Sequence, residues 1–149
     1  MIWLSKFFIN LLNLAVRLLG RQPVTNVDTD EVVCLIERSG KPVVLVDVRS
    51  PDEIAVSKIP GAITRAEFEM RREQLTNHTV IAYCTVGGRS FMFASRYSQT
   101  GLKVYNYRGS ILAWCGSGRP LVAPDGSATS RVHTYTRLLR APEGYQQTN

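Results

Sequence analysis

Blocks of apolar and polar residues along the chain predict an alternation of helices and strands. Asp28, with Glu31 three residues further on, forms a capping pattern that predicts a helix running through Glu37. The uninterrupted apolar run 43–46 predicts a strand buried on both faces, as in a parallel sheet. Ser50, which is followed by proline, predicts the start of a second, short helix.

The same alternation continues to residue 114. Helices are predicted over 65–75, 91–99 and 109–114, and strands over 80–83 and 104–107. Strands that alternate with helices are typical of an α/β fold with a mainly parallel central sheet and helices on both faces. Ligands bind such sheets beyond the carboxyl ends of the strands. Asp47 and Cys84 both follow predicted strands, so we expect the functional site there.

The first twenty residues have a different pattern, in which apolar residues dominate and polar residues recur every three or four positions. These polar residues are Lys6, Asn10, Asn13, Arg17 and Gly20. On a helix they form one narrow stripe beside a wide apolar face. The uncharged stretch between Lys6 and Arg17 is too short to span a bilayer unless both of these long side chains reach outward. Neither does it look like a cleaved signal peptide.

Three interpretations of this helix stay open, and a tilted transmembrane anchor is a further variant. The helix lies in a membrane surface, with Trp3, Phe7 and Phe8 inserted and with Lys6 and Arg17 near lipid phosphates. Alternatively, it covers an apolar patch of a partner protein, or it folds back on its own domain. We favour the membrane surface because the apolar face is wider than one domain usually buries.

Composition limits the remaining possibilities. The chain has 149 residues and three cysteines, which suits one domain without a disulfide framework in a reducing, cytoplasmic location. Its net charge of +6 includes +3 from residues 1–22 and +2 from residues 118–149. The body of the chain is therefore nearly neutral, and we expect no nucleic-acid partner. We assign an N-terminal helix to 1–22, an α/β domain to 23–118 and a tail to 119–149. The tail either docks on the rest of the chain or is a loosely ordered polar end.

The segment 84–90 carries the candidate chemistry. Cys84 follows a predicted strand, and Gly87 and Gly88 allow the loop to curl until its backbone N–H groups point inward. Ser90 is predicted to cap the next helix, whose positive end would lie beneath the sulfur. Together with Arg89, this end would lower the pKa of the thiol. The loop thus predicts a reactive thiolate.

The other cysteines and the histidines lack such surroundings. Cys34 lies in an apolar segment and is expected to pack in the core, and Cys115 follows Trp114 near a turn. We assign neither of them any chemistry. His78 and His133 are isolated in the sequence, so a metal site has little support.

Several motifs together resemble one family. They occupy 45–49, Glu53, 59–62, 83–90, Gly101 and 109–114. In this order and spacing they are similar to the single-domain rhodaneses, which are sulfurtransferases, over residues 24–118. Two departures stand out: Ser57 and Lys58 replace the Gly-His that commonly precedes the turn at 59–62, and Ser110 replaces the usual second glycine after Gly109.

The resemblance implies a rhodanese-like fold and a two-step reaction. Cys84 would take a sulfur atom from an anionic donor, become a persulfide and pass the sulfur to a thiol or cyanide. The substrate-binding residues would be Thr85, Val86, Gly87, Gly88, Arg89 and Ser90. The supporting residues would be Asp47, Arg49 and Glu53. No metal or organic cofactor is required. Thiosulfate, polysulfide and persulfides all remain candidate donors because Thr85 and Val86 carry no charge.

Two other functions are weighed against this one. A rhodanese-like module without activity would serve as a binding domain at a membrane or on a partner, but an intact cysteine loop favours the enzyme. A cysteine-based phosphatase or arsenate reductase is a minor alternative, because related phosphatases have five residues between Cys and Arg and this loop has four. Arg89 itself either faces the bound anion or forms an ion pair behind the loop, for instance with Glu53.

Overall fold

The structure is a computed structural model that describes residues 2–20 and 23–149, with side chains described from Phe7 onward within these ranges. The predicted roles of the Trp3 and Lys6 side chains lie outside the described side chains.

A five-stranded parallel sheet forms the centre of the molecule. Its strands are β1 (Asn26–Val27), β2 (Val43–Asp47), β3 (Ile63–Thr64), β4 (Thr79–Tyr83) and β5 (Val104–Tyr107). They lie in the order β1-β5-β4-β2-β3, so β4 is the middle strand. Asp47 and Tyr83 are register partners at the ends of β2 and β4. The carboxyl ends of these two strands therefore lie side by side.

Helices cover both faces of this sheet. They are α1 (Ile2–Leu18), α2 (Thr29–Arg38), α3 (Pro51–Val56), α4 (Arg65–Arg71), α5 (Gly88–Ser98) and α6 (Ser110–Gly116), and a 3₁₀ turn (Arg72–Leu75) follows α4. Side chains of α2 and α6 belong to one core cluster, and those of α1, α4 and α5 belong to the other. The predicted α/β class with a parallel sheet is confirmed.

The middle strand shows why both faces need covering. Ile81 and Tyr83 point into the first cluster, whereas Val80 and Ala82 point into the second. All four side chains are fully buried. Successive side chains of a strand point to opposite faces, so a strand that is apolar throughout requires a helix layer on each side.

Most predicted element boundaries agree with the structure to within two residues; the exceptions are the start of α5, the helix predicted over 65–75, which becomes a 3₁₀ turn from Arg72, and several short strands. Helix α5 begins at Gly88, before the predicted start at residue 91, so Ser90 is not its N-cap; the N-cap is Gly87. The short edge strands β1 and β3 were not predicted, because two residues are too few for a periodic pattern to show. Both capping patterns, at Asp28 and at Ser50, mark helix starts as predicted.

Residues 119–149 dock on the domain. They form β6 (Leu121–Val122), β7 (Ala128–Thr129), β8 (Arg131–His133) and β9 (Gln146–Thr148), which pair as β6 with β7 and β8 with β9. Leu121 and Val132 are fully buried in the first core cluster. Of the two interpretations of the tail, the structure shows the docked one.

Helix α1 also packs on its own domain, along one face. Ile9 is buried in the second core cluster, and Leu12 and Val16 pack against the same cluster. The Asn13 amide exchanges two hydrogen bonds of 3.2 Å with the backbone of Val24. Much of its remaining surface is apolar and exposed: Phe7, Phe8, Leu11, Leu14 and Leu18. In the described part of the chain, no helix has both the length and the apolar character needed to cross a bilayer.

Candidate active site

Cys84 lies where β4 ends, at the centre of the carboxyl edge of the sheet. Its side chain is 2% exposed. The carbonyls of Cys84 and Thr85 accept hydrogen bonds from the N–H groups of Ile111 and Leu112 in the first turn of α6, at 3.1 and 3.3 Å. Helix α6 therefore fixes the start of the loop through its carbonyl side.

The backbone N–H of Gly87 contacts the Cys84 sulfur. The φ of Gly87, +106°, lies in the region that favours glycine, and its N–H donates to Cys84 Sγ at 3.1 Å. A Cβ at this position would lie 2.2 Å from the carbonyl oxygen of Arg108. Gly88 has an ordinary φ, and a Cβ at that position would meet no atom within 4 Å. Contrary to the prediction, the backbone conformation of the loop requires glycine at position 87 but not at position 88.

Ser90 lies in the first turn of α5 and is fully buried. Its hydroxyl is 3.6 Å from Cys84 Sγ and donates to Asn106 Oδ1 at 2.6 Å. Burial by itself raises the pKa of the Cys84 thiol. Hydrogen bonds from Ser90 and from the Gly87 N–H, together with the charge of Arg89, outweigh burial and lower this pKa below its ordinary value. These contacts stabilise the thiolate form of Cys84 relative to the thiol.

Ser110 is a site residue whose role was not predicted from the sequence. Its hydroxyl accepts the Cys84 N–H at 2.9 Å, donates to the Tyr107 carbonyl at 2.7 Å and lies 3.9 Å from Cys84 Sγ. Its φ of +52° is unusual for a residue other than glycine. The available signal was its occurrence where a glycine is usual.

Arg89 forms an ion pair with Glu53. Its guanidinium donates to both carboxylate oxygens, at 2.7 and 2.8 Å, and also to Thr85 Oγ1 at 2.9 Å. Thr85 Oγ1 donates in turn to Glu53 at 3.0 Å. The side chains of Arg89 and Thr85 are therefore engaged behind the loop. Of the two interpretations of Arg89, the structure shows the ion pair.

The same contacts control the ionisation of Glu53. Burial raises the pKa of this carboxyl group, but hydrogen bonds from Arg89 and from Ser50 outweigh burial and lower the pKa from 4.5 to about 2. Glu53 accepts the Ser50 N–H at 3.0 Å, as the capping pattern predicted, and also the Ser50 hydroxyl at 2.9 Å. One carboxylate thus joins the start of α3 to the cysteine loop.

A second set of buried hydrogen bonds, centred on the Asp47 carboxylate, lies at the carboxyl ends of β2 and β4. Arg49 donates to both carboxylate oxygens of Asp47, through Nε at 2.9 Å and Nη2 at 2.7 Å, and to the Ser57 carbonyl at 2.6 Å. The Tyr83 hydroxyl donates to Asp47 at 2.6 Å and accepts the Ile59 N–H at 3.1 Å. These contacts hold the segments after β2 and before β3 in place, and both Asp47 and Arg49 are buried.

Two further residues complete the surroundings of the loop. Val86 is half-buried against the first core cluster. Tyr135, from the docked tail, places its ring 4.5 Å from the Arg89 guanidinium and has a φ of +68°. Sequence patterns did not indicate Tyr135, because the contact depends on how the tail folds back.

The other two cysteines differ from Cys84. Cys115 is buried, and burial raises the pKa of its thiol to about 12, so it stays protonated at neutral pH. Cys34 is exposed on α2, which corrects the expectation that it packs in the core. Among the described residues, no three His, Cys, Asp or Glu side chains gather as metal ligands do.

Comparison with known proteins gives consistent results. The model of the rhodanese-like domain family matches residues 30–117. A sulfurtransferase of Allochromatium vinosum is 39% identical over 88 residues, which are 56% of this chain and 82% of that protein.

Two solved structures show how far the likeness extends. A thiosulfate sulfurtransferase from Pseudomonas aeruginosa is 25% identical, with a TM-score of 0.62, over 83% of this chain and 23% of that one. A Rhodopseudomonas palustris protein of unknown function, described as a possible tyrosine phosphatase, is 28% identical, with a TM-score of 0.56, over 66% and 84% of the two chains. The family match covers more than half of this sequence, and the chain belongs to the rhodanese-like domain family.

Proposed function

We propose that this protein is a sulfurtransferase in which Cys84 carries sulfur as a persulfide. The observation that carries the proposal is the position of Cys84 Sγ, which receives amide hydrogen bonds at the start of α5 and has a lowered thiol pKa. A thiolate is the nucleophilic form of cysteine. The same N–H groups would stabilise the negative charge of a persulfide.

The reaction has two balanced steps. In the first, the Cys84 thiolate attacks the outer sulfur of the donor, and the sulfur–sulfur bond of the donor breaks. Thiosulfate would leave as sulfite, and a persulfide would leave as a thiolate. In the second step, an acceptor thiolate or cyanide attacks the outer sulfur of the Cys84 persulfide, and the Cys84 thiolate returns. No electron leaves or enters the overall reaction.

Phosphatase chemistry is less well supported by these contacts. A phosphate-binding loop needs a cationic side chain for the anion. Here the Arg89 guanidinium already donates hydrogen bonds to both carboxylate oxygens of Glu53. The loop also has one residue fewer between Cys84 and Arg89 than the related phosphatases. A binding module without activity is the remaining alternative, and it predicts that no sulfur is transferred.

Intact mass spectrometry after incubation with thiosulfate or polysulfide tests the proposal. We would use Cys34→Ser protein, because the exposed Cys34 thiol is a second target for polysulfide. We expect a gain of one sulfur atom, reversed by cyanide with release of thiocyanate. Cys34→Ser/Cys84→Ser should gain none. Failure of every donor to load Cys84 would instead favour the binding module.

We further propose that the outward face of α1 lies in an anionic membrane surface. Leu11, Leu14 and Leu18 are each more than half exposed on this helix, and Arg17 is exposed beside them. Residues 1–22 contain no acidic side chain. An apolar face with flanking cations suits a helix that lies at the headgroup level.

Sedimentation with phosphatidylglycerol vesicles tests this location. Leu11→Ser/Leu14→Ser should reduce the bound fraction at least fivefold. Met70→Ser, which removes an exposed methionine from α4, should leave the bound fraction unchanged. Equal binding of all three proteins, or no binding of the unaltered protein, would contradict the membrane proposal.

A further inference from the structure

A basic pocket opens beside the cysteine loop, at the same carboxyl edge of the sheet. Its volume is about 360 Å³, and it is lined by Val48, Arg65, Arg89, Met92, Phe93 and Arg96. Val48 directly follows β2, and Arg65 begins α4. The other four lining residues, at positions 89, 92, 93 and 96, share one face of α5 because residues three or four positions apart are neighbours on a helix. Arg89 belongs both to this pocket and to the cysteine loop.

The charge of the pocket is unbalanced. Arg89 is paired with Glu53, and no carboxylate lines the pocket. Arg65 and Arg96 form no ion pair with any carboxylate in 7–20 or 23–149, where the structure describes the side chains. Two exposed guanidinium groups therefore line this space with no carboxylate of the described side chains within ion-pair distance. An anion that entered it would gain two charged partners.

The other walls are apolar. Phe93 is buried, and its ring lies 5.8 Å from the Arg65 guanidinium, which restricts the orientation of that arginine. Val48 is half-buried, and Met92 is exposed. Hydrocarbon between cationic groups suits a small organic anion better than a compact inorganic one. Guanidinium groups bind carboxylates through two parallel hydrogen bonds.

We propose that this pocket binds the carboxylate of a small thiol, or of the persulfide of that thiol, whose sulfur exchanges with Cys84. The inference rests on the sulfur transfer proposed above. Arg96 lies seven residues beyond Arg89, which is about 10 Å along a helix. An extended tripeptide spans about 10 Å. A thiol of two or three residues is therefore long enough to place a carboxylate at Arg96 and its sulfur near the start of α5.

The sulfur chemistry is the same exchange in both directions. In the donor direction, the Cys84 thiolate takes the outer sulfur of the bound persulfide, and the carrier leaves as its thiolate. In the acceptor direction, the bound thiolate takes the outer sulfur of the Cys84 persulfide, and the Cys84 thiolate is restored. The pocket contributes binding of the carrier and no proton or electron.

Binding is measured first without chemistry, by titrating Cys84→Ser protein with S-methylglutathione in a calorimeter. We expect saturable binding that disappears with the diethyl ester of the same ligand, in which both carboxylates are masked. Arg65→Gln and Arg96→Gln should each weaken binding about tenfold. Arg38→Gln, an exposed arginine at the end of α2, is the matched control and should bind as well as the parent. Equal affinity for the ester, equal affinity of all variants or no binding would overturn the proposal.

Kinetics then separate the pocket from the proposed function. The protein is first loaded with sulfur as the Cys84 persulfide. The double variant Arg65→Gln/Arg96→Gln should then have a KM for glutathione at least tenfold higher than the parent, whereas the rate of this variant with cyanide should stay within twofold of the parent. Equal losses with both acceptors would overturn the pocket. If Cys84 never accepts sulfur but S-methylglutathione still binds through Arg65 and Arg96, the proposed function fails and the pocket stands.

Discussion

At the scale of single residues, the Cys84 backbone depends on a serine in an unfavourable conformation. The Ser110 hydroxyl accepts a hydrogen bond from the N–H of Cys84, and Cys84 is buried. A buried amide without a partner costs about 1–3 kcal/mol. The left-handed conformation of a residue other than glycine costs about 1–2 kcal/mol. The hydrogen bonds of Ser110 offset the strain of its own backbone.

Substitutions at Ser110 separate these two effects. Ser110→Ala loses the hydrogen bonds and keeps the strain, so we expect a loss of about 1–3 kcal/mol in the free energy of unfolding. Ser110→Gly also loses the hydrogen bonds but relieves the strain, and should be about 1 kcal/mol more stable than Ser110→Ala. Urea unfolding measures both. If Ser110→Ala were as stable as the parent, the hydroxyl would have no positioning role.

The pH dependence of stability should report Glu53. Its pKa is about 2 in the folded protein and 4.5 without these contacts. A lowered carboxyl pKa stabilises the fold fully above pH 4.5, and that contribution is lost as pH falls towards 2. The Arg89 side chain is 35% exposed, so water screens its charge. We therefore expect the lowered pKa of Glu53 to contribute about 1–2 kcal/mol to the free energy of unfolding.

Glu53→Gln provides the comparison for this effect. The difference in unfolding free energy between the parent and Glu53→Gln should be largest near pH 7 and should shrink by about 1 kcal/mol by pH 3. Urea titrations at the two pH values measure it. A difference that is the same at both pH values would show that the Glu53 carboxylate is not ionised preferentially in the folded protein.

At the scale of elements, the junction of the loop with α5 decides where the amides point. Gly87 has the left-handed conformation, and its amide contacts the sulfur, whereas Gly88 already has helical neighbours and open space. The two adjacent glycines therefore form a matched pair. One is required by the conformation and the close approach of Arg108, and the other is not.

Alanine should be poorly tolerated at Gly87 and well tolerated at Gly88. Gly87→Ala should lose at least about 2 kcal/mol of stability, because its Cβ meets backbone and its φ is unfavourable. It should also slow alkylation of Cys84 by iodoacetamide at neutral pH, since the amide moves off the sulfur. Gly88→Ala should stay within about 0.5 kcal/mol of the parent and keep its alkylation rate. Similar behaviour of the two variants would contradict the assigned loop geometry.

At the scale of the whole molecule, the docked segment 119–149 is part of the folding unit. Val132 is fully buried in the core cluster that also contains Tyr83 and the buried side chains of α6. The Tyr145 hydroxyl donates to the Arg119 carbonyl, and the Trp114 indole donates to the Pro120 carbonyl at 2.9 Å. The segment therefore folds together with α6, whose N–H groups hold the start of the cysteine loop.

A pair of substitutions within this segment tests its docking. Val132→Ala should lower the free energy of unfolding of the whole domain by about 1–3 kcal/mol and keep a single transition. Leu138→Ala, at a side chain that is 90% exposed, should change it by less than about 0.5 kcal/mol. Urea unfolding monitored by tryptophan fluorescence measures both. An unchanged midpoint for Val132→Ala would mean that the segment is only loosely attached.

The sequence by itself determined the features that depend on neighbouring residues. Capping patterns at Asp28 and Ser50 and the apolar runs of β2 and β4 predicted the α/β order, because each signal lies within a few residues of the element it marks. The same holds for the position of Cys84, directly after a buried strand and shortly before a helix. The start of α5 was misplaced because Ser90 resembles a capping residue, whereas Gly87 has the conformation that begins this helix.

Only the tertiary structure decided the contacts between distant residues. Arg89 pairs with a carboxylate 36 positions away, and the Ser110 hydroxyl reaches an amide 26 positions away. The docking of α1 and of residues 119–149 likewise depends on which core surfaces the sheet leaves uncovered. Local patterns could offer the Arg89–Glu53 pair only as one of two interpretations, because such partners are far apart in the sequence and meet only when strands and helices pack together. The basic pocket is of the same kind, since its arginines come from α4 and α5.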